Sequence, residues 1–266
     1  MLEIPLKYPY DNFEILARRL NLKQGGGPVW AVRTEGILAA DRALTLTKPC
    51  TVRIVSIGGM GVNMPTHMKV MPGYPIQKIK EKHVFETAAR VINGGILTGK
   101  ILPAETMGVD TECRGITILR EHEEREFLGF IRPGWDRHCY ADCYLSSLRK
   151  KFSERFTTAI RGELRPCIAC NYCEEVCPAG IMPYLIHKYL YADLLEEVEQ
   201  ARVDLCVECG LCSYVCPSKI DLRKQLIDAK DLIAKEKEEI RQEQLHQEEI
   251  RKQQEEARKQ SEEKTE

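Results

Sequence analysis

The sequence has no excess of positive charge, no long apolar run and no apolar stretch at its start. Its 266 residues carry 39 Lys and Arg side chains against 40 Asp and Glu, a formal net charge of −1. Because the chain has no excess of positive charge to bind a phosphate backbone, we do not expect a nucleic-acid-binding protein. No segment approaches the roughly 18 consecutive apolar residues of a membrane span, and the start lacks a secretory signal. We therefore expect that the chain is not an integral membrane protein. Any association with a membrane would be peripheral or would occur through partner proteins.

Cysteine, in contrast, is abundant, with twelve residues in the chain. Eight of them form two copies of C-x₂-C-x₂-C-x₃-C, each followed by a proline and separated by an offset of 39 residues. The first run is Cys167, Cys170, Cys173 and Cys177, and the second run is Cys206, Cys209, Cys212 and Cys216. Without an export signal, this density of cysteine favours metal or redox ligands over disulfides.

Each run is typical of proteins that bind two [4Fe–4S] clusters. The first three cysteines of a run ligate one cluster, and the fourth, before the proline, ligates the other. The first cluster is thus predicted to bind Cys167, Cys170, Cys173 and Cys216, and the second cluster to bind Cys206, Cys209, Cys212 and Cys177. Structural zinc takes two separated pairs of ligands, which these runs do not match. Two [4Fe–4S] clusters are the predicted cofactors, and no catalytic residue is assigned.

Small and apolar residues flank the ligands, among them Ile168, Val207, Gly210 and Val215. They suit the exclusion of water from the clusters, and they would equally suit any tight core.

Two weaker features receive plain structural interpretations. Four cysteines lie outside the runs: Cys50, Cys113, Cys139 and Cys143. The C-x₃-C spacing of Cys139 and Cys143 is not specific to metal sites, so we interpret all four as buried free thiols.

The glycine-rich stretch at 58–69 has Asn63 where a nucleotide-binding loop would need its third glycine. We interpret it as a turn rather than a flavin or nucleotide site.

The predicted fold class is α+β. A helix is expected over 11–20, with Asp11 as its N-cap and Glu14 completing a capping box. Strands are expected at 51–57, 88–92, 115–119 and 126–130. The predicted divisions are a helical connecting segment (1–46), a β region (47–134), a dicluster ferredoxin-type domain (135–228) and a charged helical tail (229–266).

The second half of the chain is predicted to be helical around the ligands. Pro183 is expected to begin one helix, whose apolar stripe is Ile186, Leu190, Leu194 and Val198. After Pro217 the chain is expected to stay helical to its end. Residues 231–266 carry 12 acidic and 8 basic side chains, which is typical of a solvated helix.

With these runs in view, the chain resembles the RnfC/NqrA family, the shared lineage of the C subunit of Rnf complexes and the A subunit of the sodium-translocating NADH:quinone reductase. The resemblance rests on Lys7-Tyr8-Pro9, the GGGP loop at 25–28, residues 29–30 and 53–65, residues 89–94, residues 124–130, and the region through CVECGLCSYVCPSK into the tail. The matches span nearly the whole chain and run in family order.

The resemblance implies a β-grasp (SLBB-like) module within 47–134, in which the glycine-rich stretch leads from a strand into a turn. It also implies an electron-transfer subunit of a respiratory oxidoreductase, peripheral on the cytoplasmic side of the cell membrane. Such a subunit would relay electrons between a soluble donor, NADH or ferredoxin through a partner, and membrane flavin or quinone subunits. The A subunits of the quinone reductase lack the full set of cluster ligands, whereas all eight are present in this chain. The role in electron transfer is therefore the one implied by the resemblance to Rnf C subunits.

The chain begins where the family's nucleotide-binding domain would already have ended. We therefore expect no FMN in this chain and no direct oxidation of NADH. A separate nucleotide- or flavin-binding protein, or a ferredoxin, would supply the electrons. Two alternatives stay open: structural or redox-sensing clusters in a non-respiratory complex, and a freestanding ferredoxin-like shuttle.

Overall fold

The computed structural model describes residues 3–4, 7–22, 29–49, 51–84, 89–103, 108–121, 158 and 163–263, with side chains to residue 253. The chain divides into two compact units, one comprising Met1–Pro166 with Tyr214–Ile220 and the other Cys167–Ser213 with Asp221–Glu266. The prediction of an α+β chain with a β region, a helical cluster region and a long C-terminal helix is confirmed. The boundaries of the four predicted divisions stay predictions.

Two helices precede the sheet in the first unit, α1 (Phe13–Arg19) and α2 (Thr34–Leu46). The N-cap of α1 is Asn12, whose side-chain oxygen accepts a 2.9 Å hydrogen bond from the backbone N–H of Glu14. The prediction of Asp11 as the N-cap is therefore wrong by one residue. Asn12 has the extended backbone of a capping residue, and only its side chain lies the right distance ahead of a free helical N–H.

Within the described residues, the sheet of the first unit has five strands in the order β2-β1-β5-β3-β4. The strands are β1 (Arg53–Gly58), β2 (Thr66–Val70), β3 (Ala89–Asn93), β4 (Lys100–Ile101) and β5 (Gly115–Arg120), and α3 (Ile76–His83) lies between β2 and β3 in the chain. β1 pairs parallel with β5, and the other pairings are antiparallel. The strands predicted at 51–57, 88–92 and 115–119 are confirmed, whereas β2 and β4 are additional to the prediction. The strand predicted at 126–130 lies outside the described residues.

Alternation along the strands builds the core of this unit. Successive strand side chains point to opposite faces, so every second residue of β1 is buried, whereas β5 buries Ile116 and Ile118 and also Leu119 on its other face. The buried residues include Val55, Ile57, Ile116, Ile118 and, from α3, Ile76 and Ile79. The β-grasp (SLBB-like) assignment of the sheet stays a prediction.

The glycine-rich stretch after β1 passes close over the backbone of β5. Gly59 has φ +115, and a Cβ atom there would lie 2.2 Å from the carbonyl oxygen of Ile118. The N–H of Gly61 donates a 2.9 Å hydrogen bond to that same oxygen. The interpretation of this stretch as a turn is confirmed, and the close approach to Ile118 is what requires glycine.

The second unit is helical and contains α4 (Tyr172–Glu175), α5 (Pro183–Tyr191), α6 (Leu195–Gln200), a 3₁₀ turn (Val203–Leu205) and α8 (Leu222–Glu263). The short helix α7 (Leu211–Val215) begins in the second unit, and its last two residues belong to the first unit. Pro183 begins α5, as predicted. The prediction of one helix reaching Val198 is wrong, because the chain adopts a left-handed conformation at Asp193 (φ +54) between α5 and α6. As a result Leu194 is exposed, while Ile186 and Val198 are fully buried.

The long helix α8 confirms the predicted C-terminal helix, although it begins at Leu222 and not directly after Pro217. Residues 264–266 lie outside the described residues. The first three turns of α8 pack into the second unit through Leu222, Leu226, Ala229 and Ile233, all buried. From residue 234 to residue 253 the side chains are exposed except for a half-buried Glu238. Among the described residues, no helix has both the length and the apolar composition that crossing a membrane requires.

Candidate metal centre

The two ligand loops share one backbone conformation. Left-handed residues recur at the 39-residue offset, as Ala169 and Glu208 (φ 53 and 57), Asn171 and Gly210 (φ 62 and 78), and Gly180 and Lys219 (φ 68 and 61). The short helices α4 and α7 begin at the same offset. The duplication seen in the sequence is therefore a duplication of structure, and each loop curls in the same way around the place where its thiols meet.

The structure brings Cys177 of the first run together with the first three thiols of the second run. Cys177, Cys206, Cys209 and Cys212 line one small cavity. After burial, which is the larger cause, the charge of Cys177 contributes to the raised pKa of each of the other three thiols. This is the grouping that the crossed rule predicts for the second cluster.

The first three thiols of the second run are buried, and burial raises the pKa of each of them. Burial raises the pKa of Cys212 to about 12, and the charges of Cys206 and Cys209 add to the rise. The backbone N–H of Glu208 donates to the sulfur of Cys206 over 3.4 Å. Because a thiol must lose its proton to bind iron, such a site holds thiolates only when metal supplies the compensating charge.

This arrangement fits an iron–sulfur cluster. Four sulfurs surround a half-enclosed cavity, a backbone N–H reaches one of them, and each ligand of a four-iron cluster binds a different iron. No set of three or more His, Cys, Asp or Glu side chains in the described part of the chain is placed to hold a single metal ion.

The other three thiols of the first run, those of Cys167, Cys170 and Cys173, form a second group. Burial raises the pKa of Cys173 to about 11, the backbone N–H of Tyr184 opposes the rise, and the charges of Cys170 and Cys167 add to it. Cys167 and Cys170 are half-buried, and Ile168 between them is 66% exposed. The expectation that flanking apolar residues exclude water is therefore correct for Val207, Gly210 and Val215 and wrong for Ile168.

The segment that carries Cys216 is tied to the residues that precede the first run. In the first unit, the N–H of Arg165 donates to the carbonyl of Ser218 over 3.0 Å, and the hydroxyl of Ser218 donates to the carbonyl of Pro166 over 2.9 Å. Ser218 is buried, two residues after Cys216, and Pro166 immediately precedes Cys167 in the chain. Ligation of the first cluster by Cys216 stays a prediction.

Sequence reasoning misses the charged residues beside the second run. Arg223 and Lys230 of α8 both reach the loop at Glu208. Their spacing of seven residues places them on one face of a helix, the face that also carries the buried Leu226. The seven-residue spacing is the sequence feature that could have identified these two residues. The charge content of the tail by itself indicates only a solvated helix.

The cysteines outside the runs are only partly described. Cys113 is 2% exposed, and burial raises the pKa of its thiol, whose sulfur lies 3.8 Å from the carbonyl oxygen of Gly115. Its interpretation as a buried free thiol is confirmed. Cys50, Cys139 and Cys143 lie outside the described residues. All nine cysteines of the described residues are free.

Comparison with known proteins agrees with this geometry. The family model of the 4Fe-4S dicluster domain matches residues 166–220. These residues are a 4Fe–4S dicluster domain. The dicluster domain contains both cysteine runs and ends before α8 begins.

Curated relatives are named as the A subunit of the Na(+)-translocating NADH-quinone reductase. The protein of Alcanivorax borkumensis is 29% identical over 155 residues, which are 58% of this chain and 35% of the relative. That of Pasteurella multocida is 28% identical over 164 residues, 62% of this chain and 36% of the relative. The chain therefore spans about a third of the length of the relatives it matches. Together with the dicluster domain, these matches confirm the resemblance to the RnfC/NqrA family.

Proposed function

We propose that the chain is an electron-transfer iron–sulfur subunit of an Rnf/Nqr-type respiratory complex. It relays single electrons through two [4Fe–4S] clusters between a soluble donor, NADH or ferredoxin acting through a partner, and membrane flavin or quinone subunits. The observation that carries the proposal is the meeting of Cys177 with Cys206, Cys209 and Cys212 around one cavity. The chain has no catalytic role alone in this scheme and binds no FMN.

The ligands divide between the clusters by the crossed rule. The second cluster takes Cys206, Cys209, Cys212 and Cys177, which line one cavity. The first cluster takes Cys167, Cys170, Cys173 and Cys216. The hydrogen bonds of Ser218 to Arg165 and Pro166 support this choice, since they hold the segment after Cys216 against the residues that lead into Cys167.

The residues of the chain have three tasks in this function. An iron–sulfur cluster, when bound, accepts and releases one electron at a time. The thiols hold it, backbone N–H groups such as that of Glu208 stabilise charge on the sulfurs, and buried residues such as Val207 exclude water. The half-buried Cys167 and Cys170 leave the first run the more accessible to a donor or acceptor.

The relatives are named as one subunit of a translocating quinone reductase, which supports membership of this chain in a multi-subunit complex. We propose that the chain is peripheral to the cell membrane, on its cytoplasmic side. Surfaces for docking are present in the first unit, where α2 exposes Ile37, Leu38 and Leu44. The exposed part of α8 is a further surface.

Metal analysis of the full chain, purified without oxygen, tests the proposal. Two four-iron clusters predict about eight iron atoms and eight acid-labile sulfides per chain. Fewer than about four iron atoms, or zinc in their place, would overturn it. Reversible one-electron reduction with magnetic coupling between two centres argues for a relay, whereas clusters that cannot be reduced and reoxidised would favour a structural role. Co-purification with membrane subunits distinguishes a component of a complex from a freestanding shuttle.

A further inference from the structure

Two cations of α8 are held against the ligand loop of the second run. The Nε of Arg223 donates to the carbonyl of Glu208 over 2.8 Å. The Nζ of Lys230 donates to the carbonyl of Cys206 over 3.2 Å and to the carboxylate of Glu208 over 2.6 Å. Both positive charges therefore lie next to the backbone that carries Cys206 and Cys209.

The two cations contact the ligand loop at different places. Lys230 donates to the carbonyl of Cys206 itself, and Arg223 donates to the carbonyl of Glu208, the residue before Cys209. Each positive charge therefore lies beside a different predicted ligand of the second cluster.

The beginning of α8 is fixed, so the cations have defined positions. Ser213 of α7 accepts from the N–H of Arg223 over 2.8 Å, and its hydroxyl donates to Asp221 over 3.2 Å. Between the two cations, Leu226 and Ala229 are each 1% exposed. Packing of this helical face therefore holds both side chains against the loop.

A cluster that accepts an electron gains one negative charge. Burial in a medium of low dielectric constant opposes that gain, and a fixed nearby cation stabilises the reduced state. Net charge around a cluster is one of the factors that set its reduction potential. We propose that Arg223 and Lys230 raise the reduction potential of the second cluster and so favour the transfer of electrons to it from the first cluster. This inference rests on the proposed function, since it requires both clusters to be present.

Redox titration of the full chain, followed by electron paramagnetic resonance, tests this inference. The signal of the second cluster is identified as the one lost in Cys209→Ser. We expect Arg223→Gln and Lys230→Gln each to shift its potential to more negative values, with a larger shift in the double variant and little change in the first cluster. Glu208→Gln removes a carboxylate from the same loop and should shift the potential in the opposite direction.

The control is Lys224→Gln, which removes the same charge from the same turn of α8, where the side chain is exposed. Arg223→Lys and Lys230→Arg keep the charge and should restore the potential of the unsubstituted chain. Unchanged potentials in variants that retain full iron, or an equal shift in Lys224→Gln, would overturn the inference. If Arg223→Gln loses iron, the inference is still tested by the other two variants. It requires a more negative potential in Lys230→Gln and a more positive potential in Glu208→Gln. Too little iron in the unsubstituted chain would instead overturn the proposed function.

Discussion

The buried hydroxyl of Ser218 donates a hydrogen bond of 2.9 Å to the carbonyl of Pro166, 52 residues earlier in the chain. The N–H of Arg165 returns a bond to the carbonyl of Ser218 over 3.0 Å. Two distant segments, each adjoining a cysteine run, are thereby held together in the first unit. The pair accounts for a serine directly after the second Cys-Pro, where the first run has alanine.

Substituting Ser218→Ala should lower the free energy of unfolding by about 1 kcal/mol, the usual net contribution of such a hydrogen bond. The iron content should also become more sensitive to chelators, because the segment after Cys216 is less firmly held. Chemical unfolding followed by the visible absorption of the clusters measures both effects. Ser56→Ala is the control, since Ser56 shares an exposed hydrogen bond with His67. An equal effect in the control would contradict the prediction.

Crossed ligation predicts that substituting the fourth cysteine of a run damages the cluster held by the other run. Cys177→Ser should match the spectrum of Cys209→Ser, and it should lose up to about four of eight iron atoms. Cys216→Ser should instead match Cys170→Ser. Cys113→Ser, outside both runs, should leave the iron content unchanged. A spectrum of Cys177→Ser that matches Cys170→Ser would show that ligation is not crossed.

Gly59→Ala should destabilise the first unit more than Gly73→Ala. Both residues have positive φ, so each substitution costs about 1 kcal/mol or more in backbone strain. Only at Gly59 would the new Cβ also collide with the backbone of Ile118, whereas nothing lies within 4 Å at Gly73. Denaturant unfolding followed by circular dichroism gives the two free energies. Equal losses would mean that the close approach to β5 does not require glycine.

Cys113 should resist alkylation while the chain is folded. Burial raises the pKa of its thiol above the ordinary 9.0, so the neutral form persists to higher pH in the folded state than in the unfolded state. The resulting stability is fully present below the ordinary pKa and is lost as the pH rises through the raised pKa. At about pH 8 we expect modification by iodoacetamide at least about tenfold slower than in urea, measured by mass spectrometry of the peptide. Equal rates would contradict the burial.

The ligand loops could be predicted from sequence because their chemistry imposes the spacing. The spacing C-x₂-C-x₂-C is typical of three thiols that bind one cluster, and the two loops fold alike even where Asn171 corresponds to Gly210. Strands β1, β3 and β5 were predictable from their β-branched residues. β4 has only two residues, and β2 contains His67 and Lys69, so neither gives a clear alternation.

Other features depend on contacts that a local pattern does not contain. The break at Asp193 interrupts a four-residue apolar repeat that would support one helix, and nothing nearby marks it as strongly as glycine or proline would. In the sequence, Arg223 and Lys230 cannot be distinguished from the charged residues of a solvent-exposed helix. Their role becomes visible only when α8 packs its apolar face beside Glu208.

Of the strands in the described residues, the central strand of the sheet is also the last one to be synthesised. β5 lies between β1 and β3, and it follows both in the chain. Until residues 115–120 have left the ribosome, the β1–β2 hairpin and the β3–β4 hairpin share no strand through which to pair. In the nascent chain, the facing edges of the two hairpins therefore stay exposed until β5 pairs with both of them. Completion of the sheet depends on pairing between residues that are distant in the sequence.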